Sequence, residues 1–267
     1  MTNSTKKNYL IVGPSWVGDM VMAQALFKTL REREPDCTID VIAPQWSLPI
    51  IARMPEVRRG IGIPVGHGDF AFGVRRTLGK SLRLENHDHA IVLPRSFKSA
   101  LVPYFSATAV RTGFRGEMRY GLLNDIRPLD KLVLDQTVKR FVALGLSPGE
   151  IPQDIPKPFL TTDLENQQRL LSEFGLEISR PVVAMMPGSS YGPAKCWPLA
   201  YFAELTEKLS EQGNQVWVLG GEGDKAAGEQ IIAGVDSAKN LCGITHLEDT
   251  VDLLALCAAA VTNDSGL

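Results

Sequence analysis

No apolar run in this sequence is long enough to cross a bilayer. The first one, Tyr9 to Val12, follows two lysines and ends at Gly13, which also rules out the apolar core of a signal peptide. The chain is therefore expected in the cytoplasm. Cysteine is scarce: Cys37, Cys196, Cys242 and Cys257 lie far apart with no C-x-x-C pair, so neither a disulfide framework nor a zinc site is indicated. A nicotinamide-dependent oxidoreductase would need G-x-G-x-x-G after the first strand and an acidic residue ending the second. GPSWVGD has the wrong glycine spacing, and TIDVIAP ends in Ala-Pro. The turn Gly13-x4-Gly18 has the spacing of a phosphate-cradling loop, but Asp19 stands where that loop needs lysine. A carboxylate there would repel a phosphate held on the same backbone N–H groups.

What is present is an ordinary globular composition. The chain has 267 residues, 44% of them hydrophobic and 22% charged, which is enough for two domains of about 100 to 150 residues. The net charge of −2 hides an asymmetry. Residues 53 to 140 hold 16 Lys and Arg against 8 Asp and Glu, while residues 141 to 267 hold 7 against 17. The basic stretch suits an anionic ligand or surface, or a solvated charged face.

Two periodicities alternate along the chain. The short run Tyr9–Gly13 is followed by DMVMAQALFKTLRERE, in which Met20, Ala23, Phe27 and Leu30 share one helical face. TIDVIAP with LPIIARM, and HAIVLP with SFKSALVPYFSA, repeat the pattern, so the first half is expected to form a parallel α/β sheet. Pro148, Pro152, Pro156 and Pro158 then interrupt regular structure, and the domain boundary is expected at 158/159. Strand and helix patterns resume with VVAMMPG, PLAYFAELTEKLSEQG, QVWVLGG, DKAAGEQIIAGV, HLEDTVDLLALCAA and AAVTN. The expectation is two α/β domains, 1–158 and 159–267, facing a cleft with ligand groups at the carboxyl ends of the strands.

Three loops at such ends carry candidates in the second domain. They are Gly188-Ser189-Ser190, Gly220-Gly221-Glu222 and Asn263-Asp264-Ser265-Gly266. Backbone N–H groups and hydroxyls there suit a phosphate, Lys195 supplies a point charge, and Glu222 suits a ribose or sugar hydroxyl pair. Taken singly, the glycines also fit ordinary turns and Lys195 an ordinary surface lysine. Asp19 likewise fits a helix N-cap.

GPSWVGDMVMAQAL, RMPEV, LPRSFKSALVP, RTGFRGEMRYGLLND, GPAKCWP and VTNDSGL together resemble the ADP-heptose:lipopolysaccharide heptosyltransferase II family, inverting glycosyltransferases of the GT-B fold. The resemblance runs from residue 9 to residue 267. It implies transfer of L-glycero-D-manno-heptose from ADP-heptose to the first heptose of the lipopolysaccharide inner core. The acceptor would be heptosylated Kdo-lipid A, met peripherally on the cytoplasmic face of the inner membrane. It makes Asp19 the general base, and Ser189, Ser190, Lys195, Glu222, Asp264, Ser265 and Gly266 the donor-binding set. It also implies that the second domain is incomplete, because the family continues past NDSGL into further helices and strands.

An acceptor carried on a lipid and rich in phosphate and carboxylate suits the basic half. Arg95, Lys98, Arg111, Arg115 and Arg119 are the candidate acceptor contacts, with ordinary solvated charges as the alternative. Leu101, Val102, Tyr104 and Phe105 beside Lys98 fit either a membrane contact or a buried helix face. No acidic cluster for a metal is evident, so metal-independent chemistry without a cofactor is expected, and no nucleic-acid partner is expected. Two further readings stay open: a nucleotide-sugar epimerase of the same fold, and a non-catalytic, truncated binding protein.

Overall fold

Tyr9, Leu10, Ile11 and Val12 are all buried, as both faces of a central parallel strand must be. They belong to β1 (Asn8–Val12) in a computed structural model that describes residues 6–66, 68–189 and 193–263. The chain divides after Thr161 into two units. The first contains β1, α1 (Val17–Arg33), β2 (Thr38–Pro44), α2 (Leu48–Ala52), β3 (Arg59–Ile63) and α3 (Phe72–Ser81). It continues with β4 (His89–Val92), α4 (Leu101–Phe105), β5 (Val110–Phe114), β6 (Asp125–Arg127) and α5 (Thr137–Gly145). The six strands are all parallel in the order β3-β2-β1-β4-β5-β6.

Alternation along the strands feeds two layers. Leu10, Val12, Ala90 and Val92 pack with Leu82, Ala100 and Val102 on the side of α3 and α4. On α1, Met20, Ala23 and Phe27 are fully buried and Leu30 nearly so, which is the face expected from their spacing. Ala25 of the same helix packs on Val142 of α5. SFKSALVPYFSA is less regular than its pattern suggests: a 3₁₀ turn, Phe97–Ala100, precedes the short α4, whose Leu101 and Val102 are core residues. The membrane reading of those two residues is therefore corrected, since burial between α4 and the sheet takes them away from any surface.

From 146 to 161 the proline-rich segment forms neither helix nor strand. The second unit contains α6 (Leu164–Glu173), β7 (Val182–Met186), α7 (Leu199–Glu211), β8 (Gln215–Val218), α8 (Lys225–Ile232), β9 (Ala238–Asn240), α9 (Leu247–Leu254) and β10 (Ala259–Thr262). Asp163 caps α6 by accepting from the N–H groups of Glu165 and Asn166. The strands are again all parallel, in the order β10-β7-β8-β9. Val182, Ala184 and Met186 face the α6 and α9 side with Trp217, while Met185, Val216 and Val218 face α7 and α8 with Phe202 and Ile231.

In each sheet the strand order reverses once, between β1 and β4 in the first unit and between β7 and β10 in the second. At such a point the connections leave in opposite directions and open a crevice beyond the carboxyl ends of the strands. Asp19 and Arg95 lie at the first of these crevices, and Gly188, Ser189 and Asn263 at the second.

Candidate functional site

In the first unit, a cavity of about 370 Å³ opens at the β1/β4 reversal. The loop after β1 lines it with Pro14, Ser15 and Trp16, and the loop after β4 lines it with Leu93, Pro94 and Arg95. Asp19 reaches it from the first turn of α1, Lys131 from the stretch before α5, and Thr137 and Arg140 from α5. One carboxylate and three cations therefore share one hollow. The first loop is held close to the sheet. Gly13 N–H donates to Ile42 O at 2.9 Å, and the Trp46 indole donates to Ser15 O at 3.0 Å. A Cβ at Gly13 would stand 2.5 Å from Met20 Cε and 3.3 Å from Ile42 O, so the strand-to-helix turn lies close against α1 and β2.

The capping alternative for Asp19 is not realised. Trp16 occupies the N-cap of α1 with no side-chain cap bond, and Asp19 lies in the first helical turn. Among the described residues no hydrogen bond or ion pair engages its carboxylate. Burial raises its pKa from the ordinary carboxylate value, which makes it a stronger base. A half-buried carboxylate with no internal partner, in a hollow edged by cations, is placed to accept a proton from a bound hydroxyl.

The basic candidates separate into two groups. Arg95 and Arg115 line a second, shallower hollow of about 550 Å³ together with Lys131, so one cationic strip joins both cavities through Arg95 and Lys131. Arg111 is committed elsewhere: its Nε donates to Leu122 O at 2.7 Å and its Nη1 to Thr108 O at 2.6 Å. Arg119 is only 1% exposed. Its Nη1 donates to Pro94 O at 2.7 Å and to Ser99 Oγ at 3.1 Å, and its Nη2 to Phe114 O at 2.6 Å. Burial lowers its pKa to about 10. The spacing of four between Arg111, Arg115 and Arg119 does not place them together, because Arg111 is in β5, Arg115 follows that strand and Arg119 lies in the next turn. Of this group only Arg95 and Arg115 line the two cavities. Lys98 belongs to the 3₁₀ turn Phe97–Ala100, outside the residues that line the two cavities.

Lys131 and Arg140 were not distinguishable in the sequence from solvated charges. Their only signal was the basic excess of residues 53 to 140. Packing of α5 against α1 brings Arg140 into the hollow with Asp19, and the stretch leading into α5 brings Lys131.

In the second unit, Gly188 and Ser189 follow β7, and among the described residues the buried Ser189 hydroxyl has no hydrogen-bond partner. Asn263 spans the β7/β10 reversal: its Nδ2 donates to Pro187 O at 2.6 Å, and its Oδ1 accepts from Trp197 N–H at 2.9 Å. Glu222 opens a 3₁₀ turn after β8, and Lys195 closes the exposed 3₁₀ turn Pro193–Lys195. Asp224 carries no motif signal in the sequence. Its Oδ2 accepts from Gly221 N–H at 3.0 Å and would lie 2.7 Å from a Cβ at Gly188, so one carboxylate braces the loops after β7 and β8. Ser190, Asp264, Ser265 and Gly266 lie outside the described residues.

Among the described residues, no helix is long and apolar enough to cross a membrane. A family model described as Glycosyltransferase family 9 (heptosyltransferase) matches residues 75–267. The chain is 47% identical to lipopolysaccharide heptosyltransferase 2 of Escherichia coli strain K12, over 97% of this chain and 77% of that one. It is 46% identical to lipooligosaccharide heptosyltransferase 2 of Haemophilus influenzae, over 97% and 78% respectively. The solved structure of E. coli ADP-heptose lps heptosyltransferase II superposes with a TM-score of 0.87 at 44% identity, covering 97% of this chain and 80% of that one. A glycosyltransferase family 9 structure from Veillonella parvula, at 16% identity and a TM-score of 0.85, shares the fold.

Proposed function

Because the chain belongs to glycosyltransferase family 9, the heptosyltransferases, and has the GT-B type of fold with two Rossmann-like units, we propose how its own residues perform a heptosyl transfer. The donor is ADP-heptose and the acceptor is the first heptose of the lipopolysaccharide inner core, carried on Kdo-lipid A. The reaction proceeds with inversion. The observation that carries this reading is the Asp19 carboxylate, unpartnered among the described residues, in a cavity bordered by Arg95, Lys131 and Arg140.

A sugar hydroxyl is a poor nucleophile. As its oxygen forms the new bond to the anomeric carbon, Asp19 takes its proton, and the bond from that carbon to the diphosphate breaks with both electrons leaving on ADP. General base catalysis of this kind is worth about 10² to 10⁴-fold. Arg95, Arg115 and Lys131 bind acceptor phosphate or carboxylate groups. The second unit takes the donor. Lys195 and the Ser189 hydroxyl face the diphosphate, whose negative charge grows as ADP departs, and Glu222 accepts from ribose hydroxyls. Ser190, Asp264, Ser265 and Gly266 complete that set in our reading. The protein works from the cytoplasm in peripheral contact with the inner membrane, where its acceptor resides.

The test is a transfer assay on the purified protein with ADP-heptose and heptosylated Kdo-lipid A. ADP release is expected only with acceptor present, together with a gain of one heptose in acceptor mass. Consumption of ADP-heptose at an equal rate without acceptor would point instead to an epimerase or hydrolase and sink the reading.

A further inference from the structure

We propose that an exposed aromatic patch on the first unit docks on the surface of an anionic lipid bilayer. The proposal deepens the reading above, since it rests on an acceptor carried by a membrane lipid. Five rings form a connected series. Phe70 stacks on Phe72 with centroids 6.2 Å apart and on Phe97 at 6.4 Å. Phe72 meets Phe105 edge-on at 5.7 Å, and Phe105 meets Tyr104 at 5.4 Å. Phe70 is 52% exposed, Phe72 46% and Tyr104 45%. Single apolar side chains on a surface need no explanation, but a contiguous aromatic cluster marks an interaction site.

The fold holds this cluster in place. Arg75 is buried and donates from Nε to Phe70 O at 2.8 Å and from Nη2 to Asp69 O at 3.3 Å. Gly79 lets α3 lie directly on α4, since a Cβ there would stand 2.7 Å from Val102 O.

Charge decides the partner. Phe72, Arg76 and Lys80 follow one another at spacing four on the exposed side of α3. Arg83 Nε donates to Phe105 O at 2.9 Å, and the Arg111 guanidinium lies 5.9 Å from the centre of the Tyr104 ring. The nearby carboxylates are used internally: Asp69 accepts from Gly66 N–H and Glu117 from Phe97 N–H. Aromatic rings bordered by cations suit the headgroup layer of a negatively charged membrane, where rings sit at the interface and Lys and Arg meet anionic lipid.

Position gives the docking a purpose. Phe97 shares its loop with Arg95, which lines the Asp19 cavity. Two residues of chain span at most about 7 Å, so docking through Phe97 and its neighbours holds the headgroup layer beside the loop that receives the lipid-borne sugar.

The test is co-sedimentation with vesicles of phosphatidylglycerol and phosphatidylethanolamine, compared with phosphatidylcholine alone. The wild-type protein should bind the anionic vesicles at least about tenfold more tightly, and high salt should reduce the difference. Phe70→Ser/Phe72→Ser should lose about tenfold in partitioning, with an unchanged melting temperature and unchanged ADP release on a deacylated, water-soluble acceptor. Arg76→Glu/Lys80→Glu should lose the preference for anionic vesicles, and it decides the matter should the double serine variant fold poorly. Equal binding to neutral vesicles, or full binding by both variants, overturns the proposal. So does a concentration-dependent dimer that the serine variant abolishes in the absence of vesicle binding, since that would assign the patch to a second copy of the chain. Lack of transfer to the soluble acceptor by the wild type would count against the enzymatic reading alone.

Discussion

Replacing Asp19 with Asn removes the basicity of this carboxylate while keeping its shape. The structure limits what else the change can do. No hydrogen bond or ion pair to the carboxylate is lost among the described residues, and the N-cap position of α1 belongs to Trp16. The fold loses the attraction between an anion and the helix N-terminus, about 0.3 to 1 kcal/mol. Against this, burial raises the pKa of Asp19 above 3.8, so the folded state favours the protonated form. Above that window the ionised group disfavours folding, and Asn relieves the penalty. These effects oppose each other, and the melting temperature should move by only a few degrees. The transfer rate should fall about 10² to 10⁴-fold, equivalent to about 3 to 5 kcal/mol of transition-state stabilisation. Binding of ADP-heptose by calorimetry should be unchanged if, as proposed, the carboxylate acts on the acceptor hydroxyl. The wild-type rate should also decline as pH falls through the raised pKa, and the variant should lack that limb. A variant with kcat within a few fold of wild type, or one whose main defect is donor affinity, would refute the assignment of Asp19 as base.

If the Lys195 ammonium faces the leaving diphosphate as proposed, Lys195→Ala should both weaken ADP-heptose binding and slow transfer; unchanged donor KM and kcat would remove it from the site. Arg115→Ala and Lys131→Ala should raise the acceptor KM several-fold with donor binding intact, as steady-state kinetics with each substrate varied would show. A larger effect on donor KM would contradict the cationic strip as an acceptor site. His89 predicts a pH dependence of stability. Burial is the main cause that lowers its pKa from 6.5 to about 4, and its Nε2 lies 2.6 Å from Thr112 Oγ1. Between those two values the unfolded chain binds the proton and the folded one does not, so stability is lost as pH falls through the window, by up to about 3 kcal/mol. Urea melts from pH 7 to pH 4 should show this slope in the wild type and a smaller one in His89→Gln.

The sequence by itself determined the α/β character, the strand–turn–helix around Asp19 and the placement of candidates at strand ends. These rest on local signals: apolar runs of strand length, the helical spacing of Met20, Ala23, Phe27 and Leu30, and glycines at turns. It also determined family membership, through strings such as RTGFRGEMRYGLLND that local physics does not explain. Which charges reach the site was decided only by the tertiary structure. Arg111, Arg115 and Arg119 look equivalent in a string. One is tied down on β5, one is exposed beside a hollow, and one is buried among backbone carbonyls, because chain direction after the strand sets where each guanidinium points. Lys131 and Arg140 are unremarkable charges until α5 packs on α1. Phe70 and Phe97 are far apart in sequence and become one surface only when α3 lies on α4. Local propensity acts over a few residues, whereas a site is made by contacts between residues remote in the chain, and those follow from which faces the sheet and helices bury.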